Sequence, residues 1–195
     1  MEKKKVKLKD GSEVIIRDLT KDDIEKSFEF FQKLPEEDRA YLRVDVTKRE
    51  NVERRILAME FIKVRRIVAL ANNEIVADGA FEMEGHGWKE HVGEIRLIVA
   101  RPYQRKGLGM MMARELFAIA AKERVEEIVV KMMRPQVAAQ GIFRKLGFHE
   151  EILLPEYVKD MKGHRQDMII MRCDLEALWR ELEHYIAAFD WWKAR

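Results

Sequence analysis

The sequence predicts a mixed α/β fold, one twisted and mostly antiparallel sheet flanked by helices, with a further helix at the C-terminal end. Three observations carry this reading. Apolar residues alternate with polar ones in the opening segments, as in strands with one buried face. Apolar residues at helical spacing follow, and behind them come more strands. In the middle, a strand, a helix and another strand run from Gly93 to Met133, an order that demands a right-handed crossover. A chain of 195 residues fills one core well, whereas two domains would each be small. Residues 1–173 therefore read as one domain and residues 174–195 as a helix appended to it.

Val6 and Leu8, then Val14 and Ile16, alternate on either side of Asp10-Gly11, a dipeptide that suits tight hairpin turns. Thr20 with Asp23 has the form of a capping box, and Ile24, Phe28 and Phe31 then share one helical face up to Pro35. Thr47 with Glu50 repeats that start ahead of Val52, Ile56 and Met59, predicting a helix that ends near Glu60. Ile67 to Leu70 and Ile75 to Met83 form a meander around an Asn72-Asn73 turn. Gly93 to Ala100 is a nearly continuous apolar run closed by Pro102, as expected of a central strand. Leu108, Met112, Leu116 and Ile119 predict the crossover helix, and Ile128 to Met133 the strand after it. A helix from Pro135 to Leu146 ends at Gly147, which takes a left-handed conformation without steric cost. Phe148 to Leu153 and Asp167 to Cys173 close the sheet.

Composition narrows the function. Lys and Arg number 37 against 35 Asp and Glu, a net charge of +2, so no global field favours nucleic acid. No apolar run approaches the roughly 20 residues that span a bilayer. Cys173 is the single cysteine, which excludes an internal disulfide and suits a reducing, cytoplasmic compartment. His86, His91, His149, His164 and His184 lack metal-ligand spacing, and no metal is expected.

The segment Gln104-Arg105-Lys106-Gly107-Leu108-Gly109 joins the central strand to the crossover helix. There, unpaired N–H groups and the helix dipole favour an anion. Gly107 and Gly109 allow a diphosphate to approach the backbone, and Arg105 and Lys106 add charge. One helix and one strand later stands Phe143-Arg144-Lys145-Leu146-Gly147-Phe148. Together, Val99 with Gln104 to Gly109, and Leu146 to Phe148, resemble the signatures of the GNAT acetyltransferase superfamily over roughly Val14 to Cys173. The resemblance implies acetyl-coenzyme A as co-substrate, with its pantetheine arm lying like an extra strand along Leu97, Ile98 and Val99. It also implies direct transfer to an amine.

Two positions depart from that family's pattern. Phe143 stands where many members have a proton-donating tyrosine, and Gln136 where an asparagine is common. Glu94 is the catalytic candidate, because an attacking lysine with a free pKa of about 10.4 must first lose a proton, and a carboxylate could take it through a water. The simpler reading of Glu94 is a strand residue paired with Arg96. Glu94, and the stretch Leu34 to Arg43 with its Tyr41-x-Arg43, are similar to the bacterial protein-lysine acetyltransferases called Pat. That likeness makes a protein lysine the first acceptor, with a small amine or a non-catalytic acyl-coenzyme A sensor as alternatives. Leu175, Leu178, Leu182, Tyr185, Phe189 and Trp192 form an apolar stripe that either packs on its own domain or meets a second copy of the chain.

Overall fold

A computed structural model describes residues 3–83, 87–178 and 180. The strands are β1 (Lys4–Lys7), β2 (Glu13–Asp18), β3 (Val64–Ala71), β4 (Glu74–Met83), β5 (Val92–Val99), β6 (Glu127–Met133), β7 (His149–Lys159) and β8 (Arg165–Asp174). The helices are α1 (Ile24–Lys33), α2 (Glu36–Arg39), α3 (Arg49–Leu57), α4 (Leu108–Lys122) and α5 (Val137–Arg144). All eight strands form one sheet in the order β1-β2-β3-β4-β5-β6-β8-β7. Among the described residues, only the β5–β6 pair is parallel, and the crossover helix α4 makes that possible.

Each sheet face has its own apolar layer. On one, Ile16, Ile67, Ala69, Phe81 and Ile95 pack against Leu108, Met112 and Leu116 of α4. On the other, Val68, Leu70 and Ile75 meet Phe30 and Phe31 of α1 and Val52 and Ile56 of α3. The two-residue period of the strands and the helical spacing of α4 are thus the same fact seen from two sides.

Local differences from the sequence reading have physical causes. The Thr20–Asp23 box forms, but it caps a 3-10 turn ahead of α1, and Phe30 and Phe31 are buried more deeply than Ile24 and Phe28. The Thr47–Glu50 box does not form. The Thr47 hydroxyl donates to Asp45, and α3 starts at Arg49. Gly147 has φ +87, as expected of a residue that ends a helix. β7 continues past Pro155 to Lys159 by breaking register between Leu154 and Val158, which an edge strand tolerates. Leu175 is buried and Leu178 packs on the α4 layer, whereas Leu182, Tyr185, Phe189 and Trp192 lie outside the described residues, and with them the dimer reading.

The turn before α1 carries a buried ion pair. Arg17 donates to both oxygens of Asp23 at 2.6 and 2.7 Å, and the Thr20 N–H adds a third bond at 3.0 Å. Burial opposes ionisation of Asp23, but Arg17 and Thr20 outweigh it and hold the carboxyl at about 2, against 3.8 ordinarily. A carboxyl depressed in this way stabilises the fold above its unfolded pKa and loses that contribution as pH falls toward the folded value. Acid titration of unfolding should therefore show about 2 kcal/mol disappearing between about pH 4 and pH 2. Asp23→Asn should flatten that stretch of the curve, and an unaltered acid limb in the variant would remove Asp23 from the account.

Candidate active site

The parallel pair β5–β6 holds together only briefly. Val92, Gly93 and Glu94 register with Glu127, Ile128 and Val129, and there the pairing ends. β5 stays with β4 as far as Val99, while β6 stays with β8 as far as Met133. The sheet therefore splits, and the split begins at Glu94.

Backbone alternation decides which groups face the opening. The Ala100 N–H donates to Val76 on β4, so the peptide groups of Ile98 and Arg96 also turn to β4 and those of Leu97 and Val99 turn to the gap. The sequence reading treats Leu97, Ile98 and Val99 alike, but the peptide of Ile98 belongs to the ladder with β4. Val99 has its carbonyl capped by the Gln104 side chain, which donates to it at 2.8 Å. The Val99 N–H and both polar groups of Leu97 are left facing a groove of about 590 Å³.

The groove ends at the loop before α4. Arg105 at φ +59 and Gly107 at φ +93 are both left-handed, and such residues at alternate positions turn successive N–H groups inward. Gln104, Arg105, Gly107 and Gly109 line the groove. A side chain at Gly109 would lie 2.9 Å from Ile142 of α5, so this glycine keeps α4 and α5 close at the groove wall. The other two loop residues differ. Leu108 is fully buried in the core, and Lys106 pairs with Asp10 at 2.7 Å. Lys106, helped by Ser12, holds the Asp10 carboxyl well below the usual carboxylate range.

Lys9 was not singled out as a binding residue by the sequence pattern. It follows β1, its stem crosses above Gly107, and it lines the groove. Its N–H donates to the Lys106 carbonyl at 3.0 Å, so the first hairpin clamps the loop. No local motif announces this contact, because it joins residues about a hundred positions apart.

At the inner end, Phe143 is 4% exposed and packs edge-on against Phe148 with centroids 5.2 Å apart. Gln136 accepts from the Met133 N–H at 2.8 Å, closing the end of β6. Both line the groove and a second cavity of about 210 Å³ beside it, under the α2–α3 segment. Tyr41 also lines both. That segment is held down at two points. Arg101 pairs with Glu37 and Asp38 at 2.5 and 3.0 Å, and Lys162 of the β7–β8 turn pairs with Glu36 at 3.0 Å.

Glu94 sits at the fork among three cations. Lys131 donates to it at 2.8 Å, Arg96 at 3.2 Å, and Arg43 reaches it from above. Burial would raise its pKa, but Lys131, Arg43 and Arg96 prevail and bring it down to about 2. The pairing with Arg96 expected from sequence is present, together with two partners that the sequence spacing does not reveal. Among the described residues, no group of three metal-ligating side chains gathers and no helix is long and apolar enough to cross a membrane.

The fold is shared with known proteins. The chain superposes on a ribosomal-protein-alanine N-acetyltransferase from Brucella melitensis with a TM-score of 0.71 at 18% identity, covering 82% of this chain and 98% of that one. The GNAT domain of S. lividans PAT gives 0.70 at 17% identity, covering 88% and 96%. YncA, described as a putative acetyltransferase from Salmonella typhimurium with its cofactor acetyl-CoA, gives 0.69 at 19% identity, covering 83% and 94%. No curated protein matches in sequence. At these identities the superpositions speak for the fold alone. The sequence profile of the acetyltransferase (GNAT) family, however, matches residues 25–148, more than half of the chain and all of the split, the loop and the Leu-Gly-Phe turn, and the chain belongs to that family.

Proposed function

We propose that the protein transfers an acetyl group directly from acetyl-coenzyme A to a primary amine. The observation that carries this is the split at Glu94, which leaves the Leu97 and Val99 peptide groups facing a groove that ends in the Gln104–Gly109 loop. The residues fit the co-substrate chemically: N–H groups at the start of α4, with Arg105 and Lys9, suit a pyrophosphate, and an open strand edge suits the amides of a pantetheine arm. Bound there, acetyl-coenzyme A supplies an activated thioester.

In this reading the amine enters from the Glu94 side. Glu94, at a pKa of about 2, is ionised at neutral pH and is held in place by Lys131, Arg43 and Arg96. The amine attacks as the free base, its ammonium proton already lost to solvent, and Glu94 takes through an ordered water the proton that the nitrogen sheds as the new C–N bond forms and the C–S bond breaks. The departing thiolate needs a proton, and Phe143 has none to give. Tyr41 is the hydroxyl-bearing residue among those lining both cavities, and we assign it that donation. A phenol held beside the departing thiolate can hand it a proton as the C–S bond breaks and regain one from solvent afterwards.

A protein lysine is the first acceptor. The support is the position of Tyr41 and Arg43 over the fork, in the stretch whose sequence resembles the Pat enzymes. The cavity of about 210 Å³ beside Phe143 is the observation behind the second reading, a small amine. A reaction that consumes acetyl-coenzyme A, in a chain whose one thiol is buried, suits the cytoplasm.

The test is thiol release from acetyl-coenzyme A in the presence of a panel of amines and lysine peptides. Saturable binding with no release above background would make the protein a sensor and end the transfer reading. Tyr41→Phe should lower kcat by about 100-fold, the lower range of general acid catalysis, with coenzyme A affinity kept. A variant as fast as the parent would return that proton to solvent.

A further inference from the structure

The sheet face beneath α1–α3 carries charge where an apolar layer would be expected. Arg66 on β3 is opposite Ala80 on β4, which is opposite Arg96 on β5. Two arginines thus flank an alanine in one row, and the small side chain between them leaves room. The cavity of about 210 Å³ lies over that row, lined by Arg66, Ala80 and Arg96 with Arg55 above.

Arg66 is 8% exposed, and its Nε has no hydrogen-bond partner. Burial, with Arg55 and Arg96 nearby, lowers its pKa to about 10, against the pull of Asp78 and Glu82. Arg55 pairs with Asp78 at 2.6 Å, yet one Nη of Arg55 and one oxygen of Asp78 also lack partners. Arg96 is shared by Glu82 and Glu94 at 2.9 and 3.2 Å. Arg43 and Lys131 are spent on Glu94. Five cations thus face four carboxylates across this face and the fork, and one of the four, Asp38 in the cavity wall, is drawn to Arg101 outside it. Asp78 and Glu82 act on Arg66 without hydrogen-bonding its Nε, and a desolvated guanidinium that lacks a hydrogen-bonded anion is costly. A ligand that supplies one would remove the cost.

We propose that the acceptor carries a carboxylate as well as its amine, and that Arg66, flanked by Arg55 and Arg96, holds that carboxylate while the amine lies at Glu94. This rests on the amine-transfer reading and names its substrate class. A planar guanidinium fork matches a carboxylate in two-point contact, and a space of this size admits a side chain or a small molecule. The carboxylate can come from a free amino acid or from an acidic side chain beside a lysine in a polypeptide.

The experiment compares kcat/KM, by thiol release, for lysine against cadaverine, which is lysine without its carboxylate. It also compares a lysine peptide flanked by Glu against the same peptide flanked by Gln. A preference of about tenfold or more, the effect of one charge-assisted hydrogen bond, is expected in whichever pair is the natural source. Arg66→Leu should bring that ratio to about 1 and raise the melting temperature, since it removes a buried charge that lacks a hydrogen-bonded anion. Arg66→Met, nearer in length, is the second variant. Equal rates within both pairs, a ratio that survives in the variants, or a stronger preference for phosphoethanolamine would overturn the assignment. If no amine turns over, the transfer reading fails by itself. The carboxylate site is then judged by whether 6-aminohexanoate, with coenzyme A present, raises the melting temperature of the parent and not of Arg66→Leu; a shift in both, or in neither, overturns it.

Discussion

Gly109→Val is expected to abolish stabilisation of the fold by coenzyme A while the free protein still folds. A ligand that binds only the native state adds about 2.7 kcal/mol at a hundredfold excess over its Kd, a rise of several degrees in melting temperature. At Gly109 a new Cβ would come within 2.9 Å of the Ile142 Cδ1, the end of a side chain that can rotate, and 3.8 Å from Val99, an ordinary contact. The free protein can therefore absorb the valine, whereas the branched side chain would occupy the space in which a diphosphate meets the N–H groups of α4. Losing two charge-assisted hydrogen bonds, about 1.5–3 kcal/mol each, weakens binding about 100-fold or more. Adding Gly107→Val should deepen the loss, at a further cost to the fold because that residue sits at φ +93. Differential scanning fluorimetry with and without coenzyme A reads both effects. Full protection in Gly109→Val would remove the loop from the binding site.

Glu94→Gln should lower kcat/KM by about 100-fold at neutral pH and progressively less as pH approaches the pKa of the acceptor amine, where the free base is already populated. Coenzyme A should bind the variant as it binds the parent, since Glu94 lies at the inner end of the split and not at the loop. The same pKa of about 2 sets a second expectation for the parent enzyme. Across the neutral range the rate should rise with the deprotonation of the amine, with no limb from Glu94 itself, which stays ionised. The substitution also leaves Lys131, Arg43 and Arg96 facing a neutral amide, so a lower melting temperature is expected. Activity lost equally at every pH, together with weakened coenzyme A binding, would assign Glu94 to structure alone.

Much of the fold was legible because it depends on neighbours in sequence. The alternation of Val14 and Ile16, the helical spacing of Leu108 to Ile119 and the left-handed Gly147 each follow from local periodicity or local sterics, and each recurs in the three-dimensional arrangement. The loop from Gln104 to Gly109 was legible for the same reason, since a glycine pair ahead of a helix is a local feature. Thr47 shows the limit of that reasoning. Its capping pattern is present in sequence, but Asp45, two residues before it, takes the hydroxyl.

The sequence by itself determined the order of strands and helices, the glycine pair in the loop before the crossover helix, the apolar ring of Phe143 at the groove and the place of Glu94 before the loop. Tertiary structure alone decided what those residues meet. The pairing of β5 with β6 stops after Glu94, and strand alternation then gives the gap to the peptides of Leu97 and Val99 and withholds that of Ile98. Lys9 over the loop, Arg43 and Lys131 on Glu94, and Arg66 in a row with Ala80 and Arg96 all join residues far apart in the chain. Periodicity reports which face a side chain occupies. Its partner on that face is set by sheet register and helix docking, which are long-range, and charge pairs among such residues become visible only once the layers are assembled.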